Sequence, residues 1–224
     1  MDRRTFLASL AAATAVAGSS ALPAAAAPAD SSASSASSAP RAAGRGLNIL
    51  MLTGSPRRHG NTSTMADAFA RGAGEAGHTV FRFDAAFKNV HPCTACNTCG
   101  MDGPCVFDDD FACVREHIVD ADMVVLVSPM YYFGFSAQLK RVIDRFYAIN
   151  GQIHVPKKAA LLMAYADTNK RKENCVLTHY AMLLDYLGWS DAGHIIAPGM
   201  WPAGAIKGSA YLDQACRLGR TLRA

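Results

Sequence analysis

The chain has 224 residues, half of them hydrophobic and 18% charged, with a formal net charge of +4. Its lysines and arginines are scattered, so the basic face that nucleic-acid binding needs is absent and no nucleic-acid partner is expected. From Leu47 onward the chain is long enough for one ordinary domain with its own core, and no internal repeat is visible.

The first segment reads MDRRTFLASLAAATAVAG. A charged start (Asp2, Arg3, Arg4) leads into an apolar run from Phe6 to Gly18, then ALPAAAAPAD. This is the tripartite build of an export signal. Arg3-Arg4 followed by Thr5, Phe6 and Leu7 resembles a twin-arginine signal, a receptor-read address rather than an anchor. The apolar run is too short and too alanine-rich for a stable membrane span. We therefore expect a signal peptide over residues 1–29, cleaved between Ala26 and Ala29, and a periplasmic or otherwise extracytoplasmic location. The twin-arginine route carries folded proteins, which favours a chain loaded with a cofactor before export. Residues 30–46, with SSASSASSAPRAAGRG, lack large apolar side chains and read as a disordered linker. The folded domain is expected over residues 47–224.

Leu47 to Thr53, LNILMLT, reads as a buried strand. The turn-rich GSPRRHGN follows, and Asn61 can cap a helix. Met65, Phe69 and Ala73 recur every four residues and give that helix one apolar face. His78 to Asp84 alternates as a second strand. After a cysteine-rich segment and a further helix comes MVVLV, Met123 to Val127, apolar enough for a central parallel strand. Ser136 can cap a helix carrying Leu139, Val142, Ile143, Phe146 and Tyr147 at helical spacing. Lys158 to Ala164 is a fourth strand, Glu173 to Leu187 a helix, Ile195 to Ala197 part of a fifth strand, and Tyr211 to Leu222 a closing helix. Strands alternating with helices mean an α/β fold with a parallel sheet. Five strands suggest a flavodoxin-like three-layer sandwich of order 2-1-3-4-5. Its ligand sits at the carboxyl ends of strands 1 and 3, where the winding reverses.

The loop after the first strand runs from Gly54 to Ser63 and opens a helix, whose free N–H groups and dipole favour an anion. Ser55, Asn61, Thr62 and Ser63 can add donors, and Arg57 adds charge. The loop matches neither the nucleoside-triphosphate nor the dinucleotide glycine fingerprint. It can be a phosphate cradle, or simply a polar turn before a capped helix. The loop after the third strand, SPMYYFGFS, carries four aromatics. It suits a planar ring, though aromatics there could also cover the sheet end or mediate dimer contacts. With a phosphate cradle at the neighbouring strand end, the planar-ring reading prevails. The ligand that joins a phosphate to a flat ring in this fold is most economically FMN.

GSPRRHGNTS, PCTACNTC, CVFDDD and SPMYYFGFSAQLKRVIDR together resemble the flavodoxin-like NAD(P)H-dependent FMN reductases, including the iron–sulfur flavoproteins. The tail GMWPAGAIKGSAYLDQACRLGRTL resembles their closing segment. The resemblance implies an FMN phosphate held by Ser55, Arg57, Asn61, Thr62 and Ser63, with the ring against Pro129, Met130, Tyr131, Tyr132, Phe133 and Gly134. It implies a third loop, Ala166-Asp167-Thr168, beside the ring or ribityl chain. The activity implied is hydride transfer from NAD(P)H to FMN, then electron delivery to a quinone, a flavin or a metal complex. The cofactor carries the chemistry, so no catalytic side chain is named. A homodimer is implied as well. The alternative is an exported electron-transfer flavoprotein that does not itself oxidise NAD(P)H.

Four of seven cysteines, Cys93, Cys96, Cys99 and Cys105, stand in a C-x2-C-x2-C-x5-C run. Three fates are open. One is a [4Fe-4S] cluster, as in the compact run of the iron–sulfur flavoproteins. The second is a disulfide or redox dithiol, favoured by an oxidising compartment. The third is structural zinc on four thiolates. His91 reads as structural. Cys175 and Cys216 read as buried helix residues.

Overall fold

The computed structural model describes residues 45–223. The signal expected at 1–29 and nearly all of the linker expected at 30–46 lie outside the described residues. In chain order the elements are β1 (Asn48–Thr53), α1 (Asn61–Glu75), β2 (Thr79–Asp84), α2 (Phe111–Asp120), β3 (Met123–Tyr131), β4 (Gly134–Phe135), α3 (Ala137–Asp144), α4 (Asn150–Ile153), β5 (Lys158–Ala164), α5 (Glu173–Leu187), β6 (Ser190–Ala197) and α6 (Ala210–Thr221).

The parallel strands run in the order β2-β1-β3-β5-β6, with the short β4 paired to β3 alone. Without β4 this is the 2-1-3-4-5 order of a flavodoxin-like sheet. Side chains alternate across the pleat, so each strand feeds two cores. Leu50, Leu52, Val124, Leu126, Leu161 and Met163 pack with α2, α3 and α5 on one face. Ile49, Met51, Val125, Val127, Ala160 and Leu162 pack with α1 and α6 on the other. Met65, Phe69 and Ala73, the apolar stripe of α1, are fully buried in that second core.

Helices α1 and α6 touch through glycine. A Cβ on Gly72 would lie 1.9 Å from the Cys216 carbonyl oxygen, and one on Gly219 would lie 2.3 Å from that of Phe69. Each helix therefore presents bare backbone to the other. Cys216 is buried at this contact, but Cys175 is exposed on α5, against the expectation that both are buried.

Two local expectations are corrected. Gly60, in extended backbone, holds the N-cap position of α1, and Asn61 is the first helical residue. The segment from Ser128 to Ser136 is a β-hairpin rather than a loop. Met130 pairs with Phe135 and Tyr131 with Gly134, which extends β3 four residues beyond Val127.

Candidate functional site

The loop after β1 folds onto one backbone carbonyl. The Arg57 oxygen accepts from Gly60 N–H at 3.0 Å, Ser63 Oγ at 3.1 Å and Ser55 Oγ at 3.3 Å. Ser55 Oγ in turn accepts from Arg57 N–H at 3.1 Å. This tight turn delivers the chain to the start of α1, whose first N–H groups have no carbonyl one turn behind them. A Cβ on Gly60 would lie 3.1 Å from that of Arg57 and 3.3 Å from Ser55 Oγ, so bare backbone keeps the cradle open.

The hairpin between β3 and β4 turns on Tyr132 and Phe133, at φ 45° and 65°. Both turn residues of a tight hairpin need left-handed backbone, a place that asparagine and glycine usually fill. Aromatics there carry strain, which persists where the surroundings impose it. Buried Ser136 joins the two loops. Its Oγ donates to the Gly54 carbonyl at 2.8 Å and accepts from Leu139 N–H at 3.3 Å, capping α3. Gly54 permits the approach, since a Cβ there would lie 2.3 Å from Ser136 Oγ.

Between these loops lies a cleft of about 620 Å³. Of the residues expected from sequence, Ser55, Arg57, Asn61, Thr62, Pro129, Met130, Tyr131, Tyr132 and Ala166 line it. Ser63, Phe133, Gly134 and Asp167 do not. The Ser63 hydroxyl is turned back onto Arg57. Gly134 pairs with Tyr131, and the Phe133 ring lies 6.0 Å from Lys172 Nζ. The Asp167 carboxylate is ion-paired with Lys172 and accepts from Asn169 N–H at 2.8 Å. The Lys172 hydrogen bond holds its pKa below the ordinary carboxylate value. Asn61 lines the cleft and also holds a neighbouring loop. Its Nδ2 donates to the Met200 and Pro202 carbonyls at 3.0 and 2.9 Å, and its Oδ1 accepts from Ile206 N–H at 3.3 Å.

Outside the expected set, the cleft is also lined by Gly60, Ala164, Tyr165, Met200, Trp201, Pro202 and Ala203. A signal was present. All parallel strands deliver their carboxyl ends to one edge, so GMWPAG after β6 belongs beside the other two loops. The Tyr165 hydroxyl donates to Glu173 Oε1 at 2.8 Å. Burial and that carboxylate push its pKa above the ordinary phenol value.

The cysteine loop is closed at its base by charge. Asp109 Oδ2 accepts from His91 N–H at 2.9 Å and from Arg145 Nη1 at 2.8 Å. Arg145 Nη1 also donates to the His91 carbonyl at 3.0 Å. The His91 ring stacks on Phe107 with centroids 4.8 Å apart. Between these ends, Cys93, Cys96, Cys99 and Cys105 all line one small depression with Phe107, Arg145 and Tyr147. Ala95 N–H donates to Cys93 Sγ at 3.4 Å, and the Thr98 hydroxyl to Cys96 Sγ at 3.5 Å. The Thr98 contacts lower the Cys96 pKa. Ala95, Asn97 and Met101 hold left-handed backbone, so every described non-glycine residue with positive φ lies in this loop or in the hairpin turn. The donor set has the softness and number that a four-thiolate centre needs. Even so, among the described residues no three His, Cys, Asp or Glu side chains converge closely enough to hold a metal ion. The expected metal ligands therefore share one pocket without forming a coordination shell.

The family of proteins described as NADPH-dependent FMN reductase matches residues 47–197. The chain belongs to that family. Membership in the NADPH-dependent FMN reductase family makes it an oxidoreductase. An iron-sulfur flavoprotein from Archaeoglobus fulgidus is 32% identical over 172 residues, covering 75% of each chain. Another, from Methanocaldococcus jannaschii, is 34% identical over 99 residues, 44% of this chain and 51% of that one, so the shared part is about half of that relative. An NAD(P)H:quinone oxidoreductase from Methanothermobacter marburgensis has the same fold, with a TM-score of 0.64 at 22% identity over 79% of this chain and 99% of that one. The family match ends at Ala197, just before the Met200–Ala203 wall of the cleft.

Proposed function

We propose that this family member is an FMN-dependent reductase that oxidises NAD(P)H and passes the electrons to a quinone, a free flavin or a metal complex. The observation that carries the reading is the single cleft formed by the Ser55–Thr62 cradle and the Pro129–Tyr132 hairpin at the ends of β1 and β3. Its two ends differ in chemistry. At one, Ser55, Thr62, Arg57 and the opening N–H groups of α1 suit a phosphate. At the other, Pro129, Met130, Tyr131 and Ala166 suit a flat ring and exclude water from one of its faces. FMN held there supplies the hydride-accepting and electron-donating chemistry. The relatives' names support the same assignment.

The test is direct. The purified protein should be yellow, with one flavin per chain, and NADPH should bleach it without a mediator. A colourless protein that takes up no FMN rejects the reading. A flavin reduced only through a mediator favours the electron carrier instead.

A second redox centre is part of this proposal. The shared cysteine depression, its N–H and O–H donors to sulfur and the iron-sulfur flavoprotein relatives all support it. Cys93, Cys96, Cys99 and Cys105 would hold a [4Fe-4S] cluster, after side-chain rotations that bring the thiolates together. Anaerobic purification with iron and sulfide analysis decides between the cluster, zinc and free thiols or disulfides. Export by the twin-arginine route and a homodimeric state belong to the same reading. Fractionation of cells expressing an Arg3→Lys/Arg4→Lys chain tests the first, and sedimentation tests the second.

A further inference from the structure

Trp201 is the feature that the assignment above leaves without a task. Its side chain is 78% exposed, yet it lines the cleft. An indole left in water on a mobile loop would need no explanation. This one is held. Asn61 grips the carbonyls on both sides of it, those of Met200 and Pro202, with one amide group. Met200 N–H donates to the Tyr165 carbonyl at 2.8 Å, and Ile206, whose N–H bonds Asn61, is fully buried. Asn61 is itself buried. A buried polar side chain is thus committed to fixing the backbone on either side of an exposed aromatic.

The opposite wall repeats the arrangement by other means. Tyr131 is half-exposed and Tyr132 is 100% exposed, and the hairpin turn keeps Tyr132 in left-handed backbone. Aromatic side chains kept in water on rigid elements present area at low ordering cost. The lining carries one formal charge, Arg57 in the cradle, and no carboxylate. A hydrated metal cation would find no ligand here, whereas a neutral or anionic flat ring finds aromatic walls.

We propose that Trp201, positioned by Asn61, is the specificity-determining side chain of a second ring site in the cleft, and that it stacks on a flat conjugated ring of the electron donor or the acceptor. This deepens the flavin reading and rests on it. The shared chemistry is a flat conjugated ring. It can come from the nicotinamide dinucleotide or from a quinone-type acceptor, and the test separates the two.

Trp201→Ala and Trp201→Phe are made in the whole chain and flavin content is measured first. KM for NADPH is then read with hexacyanoferrate as acceptor, and KM for a soluble benzoquinone at saturating NADPH. Trp201→Ala should retain its flavin and raise one of the two KM values about three- to tenfold, the contribution of one aromatic contact. Trp201→Phe should recover most of it. A rise for NADPH assigns the ring to the donor, and a rise for the quinone assigns it to the acceptor. Asn61→Ala should raise the same KM and lower the fluorescence anisotropy of the exposed indole, because Trp189, the other tryptophan, is buried. Both KM values unchanged would overturn the proposal. So would loss of flavin in proportion to activity, which would place the indole in the flavin site itself. Protection of Trp201 emission from iodide by NADP+ or benzoquinone is also read on flavin-free protein. Failure of the flavin reading and failure of the ring site therefore give different results.

Discussion

Replacing Arg145 with methionine should destabilise the domain far more than loss of an ordinary surface ion pair. The Arg145 and Asp109 side chains are 2% and 1% exposed, and they meet at 2.8 Å. The guanidinium lies over the Phe107 and Phe111 rings, 5.3 and 4.8 Å from their centroids, with its Nε buried and without a hydrogen-bond partner. Methionine fills much of the same volume. It leaves a buried carboxylate with only the His91 and Phe111 N–H groups. Removing one partner of a buried pair costs about 3–5 kcal/mol. At about 2–4 °C per kcal/mol for a domain of this size, the melting temperature should fall by roughly 6–20 °C. Urea unfolding and thermal scans followed by circular dichroism measure this, and alkylation of Cys99 and Cys105 should accelerate as the loop opens. Adding Asp109→Leu should restore part of the loss, because the stranded charge is then gone. The pH dependence follows from the same pair. Burial pushes the Asp109 carboxyl up, but the Arg145 hydrogen bond, the His91 and Phe111 N–H groups and the Arg145 charge outweigh it, leaving the pKa lowered. A lowered carboxylate stabilises the folded state above its unfolded pKa of about 4. That stability is lost as pH falls through the folded value. A single-variant cost under about 1 kcal/mol, the range of exposed pairs, would refute the reasoning.

Two further outcomes follow from the backbone. Gly72→Ala should cost at least the 1–3 kcal/mol or so of an overpacked core, because its Cβ would lie 1.9 Å from the Cys216 carbonyl oxygen; an unchanged urea midpoint would show that α1 and α6 can separate freely. Tyr132→Gly should relieve left-handed strain of order 1 kcal/mol and raise the melting temperature, while flavin and ring-ligand retention weaken; a lower melting temperature would mean that the tyrosine ring supports the hairpin.

The sheet was legible because its information is local. LNILMLT and MVVLV are best read as buried strands, and Met65, Phe69 and Ala73 state which face of α1 goes inward. The two loops at the ends of β1 and β3 are legible for the same reason, but the pairing of Met130 with Phe135 that makes the second a hairpin is not. Asn61 is not the cap that its position suggests, because residue type alone cannot choose among hydrogen-bond partners. A capping asparagine, a phosphate ligand and a clamp on a distant loop look alike in sequence. Asp167 likewise reads as a site residue, and sequence alone does not show the ion pair it makes with Lys172. The closure of the cysteine loop was invisible for a different reason. Arg145 lies at helical spacing among core residues, and its partners Asp109 and His91 are 36 and 54 positions away.

The clamp on the Trp201 loop also bears on when the cleft comes into being. The Asn61 contacts span 139, 141 and 145 residues of chain, among the longest loop closures the domain makes. Contacts of such separation reward the chain only after most of the loop entropy has been spent. The cradle and hairpin can form as soon as β1 and β3 pair, but the last wall waits for β6 and Ile206. A chain stopped short of residue 206 would therefore hold a half-built cleft with its aromatic hairpin in water. A ligand that needs all the walls recognises only the finished fold, and by mass action it holds the chain there.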